Sequence, residues 1–316
     1  DRLGMDREKT IARLSGCYIA VPTLFRDDDL ELNLSGIRRH VRFLLEGGVR
    51  EGNGVLLACG AAGEFSTLTV DERLRVAETV LEEAAGRVGV IVGAQSTDQR
   101  DVVALAKSAA RLGADAIQLS PPFYHPHTDD DVYEFFAAAA DAADIGVVIY
   151  TTYWLGYKMP LDLIGRLAEL PHIVGLKWGA PSSYEYEKGL RLFAKRLCVI
   201  DNQLQFVLTH TLGGRGINTH PSNYWPAWGV KVWGLLETRN YEEAQREITR
   251  VVAPYYDLAG EIAKFTGGEG HLDKLCLELV GLDSSRCRPP TRDIRQEFRD
   301  KARRMLEQCG VPRMRS

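Results

Sequence analysis

The sequence predicts an α/β protein of the (β/α)8-barrel class (a TIM barrel) with a C-terminal helical extension. From residue 17 onward, short apolar or β-branched runs alternate with longer segments of helical period, and eight such units can be counted. Most of the runs lack strict alternation of polar and apolar residues, as is typical of parallel strands covered on both faces. A doubly wound open sheet, the main alternative, requires a glycine-rich phosphate-binding turn that the sequence lacks.

The individual elements follow in order along the chain. Strands are predicted at 18–21, 54–58, 89–93, 114–119, 146–150, 173–177, 197–200 and 215–219. A Thr-x-x-Glu capping box begins a helix at Thr69, and Thr128 begins another ahead of three aspartates. A helix over 99–112 is predicted to end at Gly113. The strand pattern stops after Asn223. Further helices are predicted near 240–264, 270–280 and 291–309.

The length of the chain is sufficient for a (β/α)8 barrel with a helical extension. A (β/α)8 barrel takes about 250 residues, and this chain has 316. Residues 17–223 are therefore predicted to supply the barrel strands and connecting helices. Residues 224–316 are predicted to form the last barrel helix and the helical extension, within the same structural unit.

Composition and charge indicate a globular enzyme with a small-molecule partner. Hydrophobic residues make up 45% of the chain and charged residues 26%. The net charge is -4, from 39 basic and 43 acidic residues, without a long run of one sign. This distribution gives no basic surface for nucleic acid or membranes.

The cysteines and the apolar runs indicate a cytoplasmic protein. Six cysteines are scattered without a C-x-x-C pair or zinc-ligand spacing, so reduced thiols are expected. The sequence contains neither an apolar run of about 20 residues, as a membrane-spanning helix requires, nor the pattern of a signal peptide.

Lys177 is the leading candidate for a catalytic residue. The catalytic residues of (β/α)8-barrel enzymes lie at the C-terminal ends of the strands. Of the ten lysines in the chain, Lys177 is the only one that ends an apolar strand run. A desolvated lysine has a lowered pKa and can act as a neutral amine nucleophile. The alternative is a lysine whose charged end reaches out of the barrel mouth to water.

Tyr150 ends the preceding strand run, in the same layer as Lys177. A phenol beside an imine-forming amine can transfer the protons that carbinolamine formation and collapse require. Its alternative interpretation is an aromatic residue of the barrel rim.

The order of these motifs resembles the dihydrodipicolinate synthase and N-acetylneuraminate lyase superfamily of class I aldolases, over about residues 17–300. The motifs are Thr23-Leu24-Phe25, Gly60-Ala61-Ala62-Gly63-Glu64-Phe65 with Leu68-Thr69, Pro121-Pro122-Phe123-Tyr124, Tyr150, Gly175-Leu176-Lys177, Gly213-Gly214-Arg215-Gly216-Ile217, Asn223 and Arg288-Pro289-Pro290.

The resemblance implies an enzyme without a metal or organic cofactor, usually a homotetramer built as a dimer of dimers. Lys177 would form an imine with pyruvate or another 2-oxo acid, and Tyr150 would transfer protons. Ala61 and Ala62 would bind the keto-acid carboxylate. Relatives also contribute an aromatic hydroxyl across a subunit interface; here Phe123 takes that place, and Tyr124 follows it.

The chain departs from the family pattern at the carboxylate-binding turn. Relatives usually have Gly-Thr-Thr-Gly-Glu, whereas this chain has alanines at 61 and 62. Backbone N–H groups can bind a carboxylate without side chains, but the hydroxyl that assists the tyrosine is missing. Its candidate replacements are Thr151, Thr152, Tyr124 and an ordered water.

A second departure follows Tyr150. Thr151-Thr152-Tyr153-Trp154-Leu155 replaces the Asn-x-Pro-Ser-Arg run of the lysine-pathway synthases, whose arginine holds the carboxylate of aspartate semialdehyde. Leucine cannot replace that bidentate group. The lysine-biosynthetic activity is therefore not expected.

Two further groups of side chains bear on the substrate. Asn218-Thr219-His220-Pro221 in strand eight either contact the substrate or satisfy one another. If Trp154 and Trp178 line the pocket, the second substrate is larger or less polar than a sugar acid, as in the hydratase-aldolases that act on aryl-substituted 2-oxo acids.

Three functions remain open from the sequence. The first is a Schiff-base lyase, the second a non-catalytic 2-oxo acid binding protein, and the third a metal-dependent barrel enzyme using His125 and His127 near Asp129 to Asp131. Those aspartates are better explained as N-terminal helix charges, so no metal site is predicted. The second substrate, the reaction direction, the choice between aldol chemistry and dehydration, and the roles of His125, His127 and His220 stay open.

Overall fold

The computed structural model describes residues 4–283 and 285–313. The strands are β1 Gly16–Ala20, β2 Gly54–Ala58, β3 Gly89–Gly93, β4 Ala116–Leu119, β5 Gly146–Thr151, β6 Ile173–Trp178, β7 Cys198–Asp201 and β8 Gly216–Asn218. They pair in chain order and close into a barrel, with β1 parallel to β8. The predicted (β/α)8 barrel is confirmed.

Helices separate the strands and then continue beyond β8. The α-helices are α1 Arg7–Arg13, α2 Leu34–Glu46, α3 Val70–Ala84, α4 Gln99–Leu112, α5 Asp129–Ala142, α6 Leu161–Ala168, α7 Ser183–Phe193, α8 Phe206–Thr211, α9 Pro226–Glu237, α10 Tyr241–Phe265, α11 His271–Val280 and α12 Arg295–Cys309. The predicted C-terminal helical extension is thus present.

The predicted helix ends are confirmed where capping chemistry defined them. Thr69 and Thr128 both cap their helices through capping boxes, so each satisfies helix N–H groups that lack an intrahelical acceptor. Gly113 ends α4 in the left-handed conformation, with φ of 88°. The last helix begins at Arg295 instead of near 291, and the backbone N–H of Arg292, ahead of it, donates to Thr266 Oγ1 (2.9 Å).

The two faces of β6 determine which side chains enter the barrel. Trp178 is buried, stacks on Tyr186 of α7 with ring centroids 5.1 Å apart, and lies where a Cβ on Gly189 would come within 2.2 Å of its ring. Trp178 therefore faces the helix layer. Because successive side chains of a strand point to opposite faces, Lys177 faces the barrel interior.

The chain forms two compact units. One contains the residues up to Tyr18, Arg50–Leu57 and Gly86–Asn218; the other contains Ile19–Val49, Ala58–Ala85 and the described residues from Thr219 onward. Lys177 and Tyr150 belong to the first unit, and the 60–64 turn belongs to the second.

Two chain-wide expectations can be checked directly. None of the six cysteines forms a disulfide and all six are buried, as predicted for reduced thiols. Over the ranges 4–283 and 285–313, no helix combines the length and apolar character needed to cross a bilayer.

Candidate active site

Lys177 is almost completely buried at the end of β6, with 6% of its surface exposed. A lysine that reaches out of the barrel to water would be far more exposed, so that interpretation does not fit the structure. Its Nζ instead lies over two aromatic rings, 4.7 Å from the Tyr18 ring centroid and 4.9 Å from that of Tyr150. A primary amine held in this way has a fixed position, as a nucleophile of a barrel enzyme requires.

Tyr150 is positioned by backbone pairing. It is the register partner of Lys177 on the neighbouring strand β5, so both side chains point to the same face of the sheet. The side chain is half-buried. The structure therefore brings together the two residues predicted to be catalytic, with the phenol beside the amine.

Tyr18 is a component of this cluster that sequence reasoning missed. It is completely buried, and its hydroxyl donates to Gln118 Oε1 at 2.6 Å. Burial, followed by the nearby Cys198 and Tyr150, raises the pKa of the Tyr18 phenol well above its usual value. The phenol therefore remains a protonated donor. A tyrosine and a glutamine inside otherwise apolar strand runs were the only sequence signal for this pair.

Thr152 directly follows β5 and is buried, with 2% of its surface exposed. Its Oγ1 has no hydrogen-bond partner within the described ranges. A buried hydroxyl without a partner is costly, so such groups often mark a ligand position. Among the candidate replacements for the missing threonine hydroxyl, Thr152 is the one with spare hydrogen-bonding capacity shown by the structure.

Phe123 and Tyr124 lie in the segment after β4 and are exposed, at 43% and 89%. Tyr124 has φ of 86°, in the left-handed region that a tyrosine rarely adopts. Such local strain persists mainly where function requires it. Their predicted contact with substrate stays a prediction.

The polar residues around the end of β8 separate into two groups. Asn218 is the register partner of Tyr18 and is 9% exposed, so it shares the face of the sheet that carries Tyr18. In the second unit, Thr219 and Ser222 bond to each other through their hydroxyls (2.7 Å), and His220 Nδ1 lies 2.8 Å from Asp273 Oδ2. These contacts favour mutual satisfaction for Thr219 and His220. Asn218 stays a predicted substrate ligand.

The turn that resembles the family's carboxylate site lies in the second unit. The backbone N–H of Glu64 donates to Ala61 O (2.9 Å), and Glu64 itself has a left-handed φ of 57°. Thr23 supports the turn by donating its hydroxyl to Gly63 O at 2.7 Å. The N–H groups of Ala61 and Ala62 donate to no acceptor among the residues that the structure describes. They are thus available for an anion.

Of the two tryptophans considered for the pocket, Trp178 does not line it, because it packs in the core against α7. Trp154 is 50% exposed, and its ring lies against Gly179, where a Cβ would be 3.3 Å from ring carbon Cζ3. Trp154 therefore covers the backbone two residues beyond Lys177.

The histidines do not assemble a metal centre in the described part of the chain. His127 Nδ1 lies 3.8 Å from Asp131 Oδ2, and Asp131 also accepts the backbone N–H of Thr128 in its capping box. No group of three or more histidine, cysteine, aspartate or glutamate residues within 4–283 and 285–313 is arranged to hold a metal ion.

A closed (β/α)8 barrel with a buried interior lysine and a tyrosine as its register partner defines a lyase of the class I aldolase type. The family model described as "Dihydrodipicolinate synthetase family" matches residues 13–309. The chain belongs to this family.

Relatives and solved structures agree with this assignment. The chain is 30% identical over 302 residues to a 4-hydroxy-tetrahydrodipicolinate synthase of Methanopyrus kandleri, covering 95% of this chain and 97% of the relative. A synthase of the same name from Pelobacter propionicus is 31% identical over 234 residues, covering 73% and 78%.

Two solved structures show the same architecture at 25% identity. A monomeric dihydrodipicolinate synthase variant superposes with a TM-score of 0.85, covering 98% of this chain and all of that chain. CdNal from Clostridium difficile, in complex with mannosamine, superposes with a TM-score of 0.81, covering 93% and 98%. Barrel, lysine and tyrosine thus occur here within an established enzyme family.

Proposed function

We propose that this protein is a Schiff-base lyase that holds pyruvate or another 2-oxo acid as an imine on Lys177. The observation that carries the proposal is the burial of the Lys177 amine inside the barrel, beside the ring of its register partner Tyr150. A non-catalytic binding protein is the weaker alternative, because binding a 2-oxo acid requires neither a nucleophile nor a proton-transfer group beside it.

Each residue has a defined part in this reaction. The neutral Lys177 amine attacks the keto carbon and forms a carbinolamine, whose hydroxyl must gain a proton to leave as water. The Tyr150 phenol supplies that proton and takes one back in later steps. The resulting iminium withdraws electrons from the adjacent bonds, so that a carbon–carbon bond can be cleaved or formed, or water eliminated. Thr152, whose buried Oγ1 has no hydrogen-bond partner within the described ranges, is proposed to bind the substrate.

The proposed carboxylate ligands are the backbone N–H groups of Ala61 and Ala62. Main-chain N–H groups in a turn bind anions without any hydroxyl, and these two lack acceptors in the described chain. Asn218 and Phe123 are proposed to contact the rest of the substrate.

A homotetramer, built as a dimer of dimers, is the proposed assembly. Family membership supports this assembly, and the 89% exposed Tyr124 directly follows the position from which relatives contribute an aromatic hydroxyl across a subunit interface. The cytoplasm is the proposed location, supported by six cysteines that form no disulfide.

The second substrate is proposed to differ from aspartate semialdehyde, despite the names of the relatives. The segment 151–160 after β5 contains no arginine, and Leu155 takes the place of the carboxylate-binding residue. An aryl-substituted 2-oxo acid, as handled by hydratase-aldolases, is the more specific candidate. The observation that favours it is the half-exposed Trp154, which lies against Gly179 and makes an edge contact with Tyr153 at 4.9 Å.

Borohydride trapping tests the central proposal. The wild-type protein is treated with borohydride and a panel of 2-oxo acids, including pyruvate and aryl-substituted acids, and the adduct is located by mass spectrometry. The mass should increase on Lys177, be lost in Lys177→Ala and persist in Lys158→Ala, which removes an exposed lysine. Equal labelling of Lys177→Ala, or no adduct with any acid in the panel, would reject the imine.

A further inference from the structure

Tyr18 crosses the inside of the barrel next to the reactive amine. It starts on β1 and reaches Gln118 on β4, two strands that are separated by β2 and β3. Both residues are buried, at 0% and 1% exposure, and the bond between them is 2.6 Å long. Lys177 Nζ lies 4.7 Å from the centroid of the Tyr18 ring. The family resemblance assigned no role to Tyr18.

We propose that Tyr18 is a positioning residue for Lys177. Its ring supports the reactive nitrogen and stabilises the positive charge of the iminium, and its hydrogen bond to Gln118 holds the ring in place. This inference rests on the imine proposed above, and it adds a group that acts through Lys177 without serving as acid or base.

The charge on the Lys177 nitrogen differs between the states of the reaction. The face of an aromatic ring attracts a cation within about 6 Å of its centroid, and more strongly where water is excluded. The ammonium form of Lys177 and the iminium are cationic at the same nitrogen, whereas the carbinolamine and the free amine are neutral. Rings beside that nitrogen therefore favour the iminium over the carbinolamine that precedes it.

The Gln118 contact explains why the residue is tyrosine and not phenylalanine. A phenol in this dry interior stays protonated, because burial raises its pKa well above the usual value. It can therefore donate permanently to the Gln118 carbonyl oxygen. The hydrogen bond at the far end of the ring keeps the ring from swinging away from Lys177 about the side-chain bonds nearer the backbone.

A ring-fluorination series at position 18 tests the charge argument. Tyr18→Phe keeps the ring, and successive fluorine substitution of that phenylalanine weakens its negative face with little change in shape. Borohydride trapping of Lys177 with the best 2-oxo acid should fall stepwise, by about tenfold at full fluorination relative to Tyr18→Phe. Thermal unfolding, measured in parallel, should change little along the series.

Tyr186 provides the matched control. It is equally buried, and its hydroxyl also bonds to a side-chain oxygen, Thr209 Oγ1 at 2.7 Å, but it stacks on Trp178 in the helix layer. The same series at position 186 should affect stability without changing the trapped fraction.

The outcomes separate this inference from the proposed function. If wild type forms the Lys177 adduct and the fluorinated variants trap as well as Tyr18→Phe, the role of Tyr18 is refuted while the imine stands. If wild type forms no adduct with any 2-oxo acid, both proposals fail.

Discussion

Tyr150 and Lys177 are register partners on β5 and β6, and the lysine Nζ lies 4.9 Å from the tyrosine ring centroid. Their separation is thus set by hydrogen-bonded strands in a closed barrel. A pair placed on strands is held more precisely than one carried by loops, which suits proton transfer to a short-lived carbinolamine.

The first prediction concerns the hydroxyl of Tyr150. Tyr150→Phe keeps the ring beside Lys177 and removes only the acid-base group, so turnover on the best substrate should fall by about 10² or more. Steady-state kinetics measure the loss, and circular dichroism verifies the fold. Near-normal turnover would mean that another group transfers the protons.

The second prediction concerns lysine biosynthesis. Condensation of pyruvate with aspartate semialdehyde should be very slow, because Leu155 cannot hold the semialdehyde carboxylate. A coupled assay with purified protein measures it, with the Methanopyrus kandleri relative as positive control. A turnover number in the usual enzyme range of about 1 to 10³ per second would contradict this prediction.

The third prediction concerns a buried ion pair in the second unit. Lys274 is completely buried, and its ammonium donates to the Glu64 carboxylate, which also accepts the backbone N–H of Arg288 (3.0 Å). Lys274→Met leaves the glutamate without its cation. Removing one partner of a buried pair typically costs about 3–5 kcal/mol of the free energy of unfolding. Urea denaturation measures the change.

The matched control for that experiment is the pair between Arg246 and Glu242 on α10. Both side chains are 78% exposed. Water therefore screens the interaction, and the ion pair contributes little to the free energy of unfolding. Arg246→Met should change the free energy of unfolding by less than about 0.5 kcal/mol. If the two substitutions had equal effects, burial would not explain the importance of Lys274.

The fourth prediction concerns His40, which is fully buried and bonds through Nε2 to the carbonyl oxygen of Asn223 (2.9 Å). Burial lowers its pKa from 6.5 to about 4. The unfolded chain therefore binds this proton more tightly than the folded chain. The stability contributed by neutral His40 is complete above pH 6.5 and is lost as pH falls toward 4, by up to about 1.4 kcal/mol per pH unit.

Comparison with His40→Gln isolates this effect from other titrating groups. Glutamine can donate to the same carbonyl but does not titrate, so the difference in unfolding free energy between the two proteins should shrink or reverse as pH falls from 6.5 to 4. Denaturant unfolding at several pH values measures it. A difference that stays constant with pH would show that His40 does not titrate as expected.

Much of the barrel could be predicted because its signals are local. The predicted strand at 54–58 matches β2 in full, since an apolar run bounded by glycine and polar residues needs no distant information. Likewise, Thr69 and Thr128 begin their helices through contacts only three residues away. Lys177 and Tyr150 were identified in the same way, as polar residues ending apolar strands.

Tertiary structure decided which of these side chains meet and which face away. Tyr18 and Gln118 are 100 residues apart in sequence and touch only because the barrel closes. Trp178 directly follows Lys177 in sequence but faces α7, because the strand directs Lys177 to the interior and its neighbour to the opposite face. The sequence by itself determined the order of the strands and the place of Lys177 near the end of β6. The surroundings of Lys177 depend on contacts between distant strands, and no local pattern encodes them.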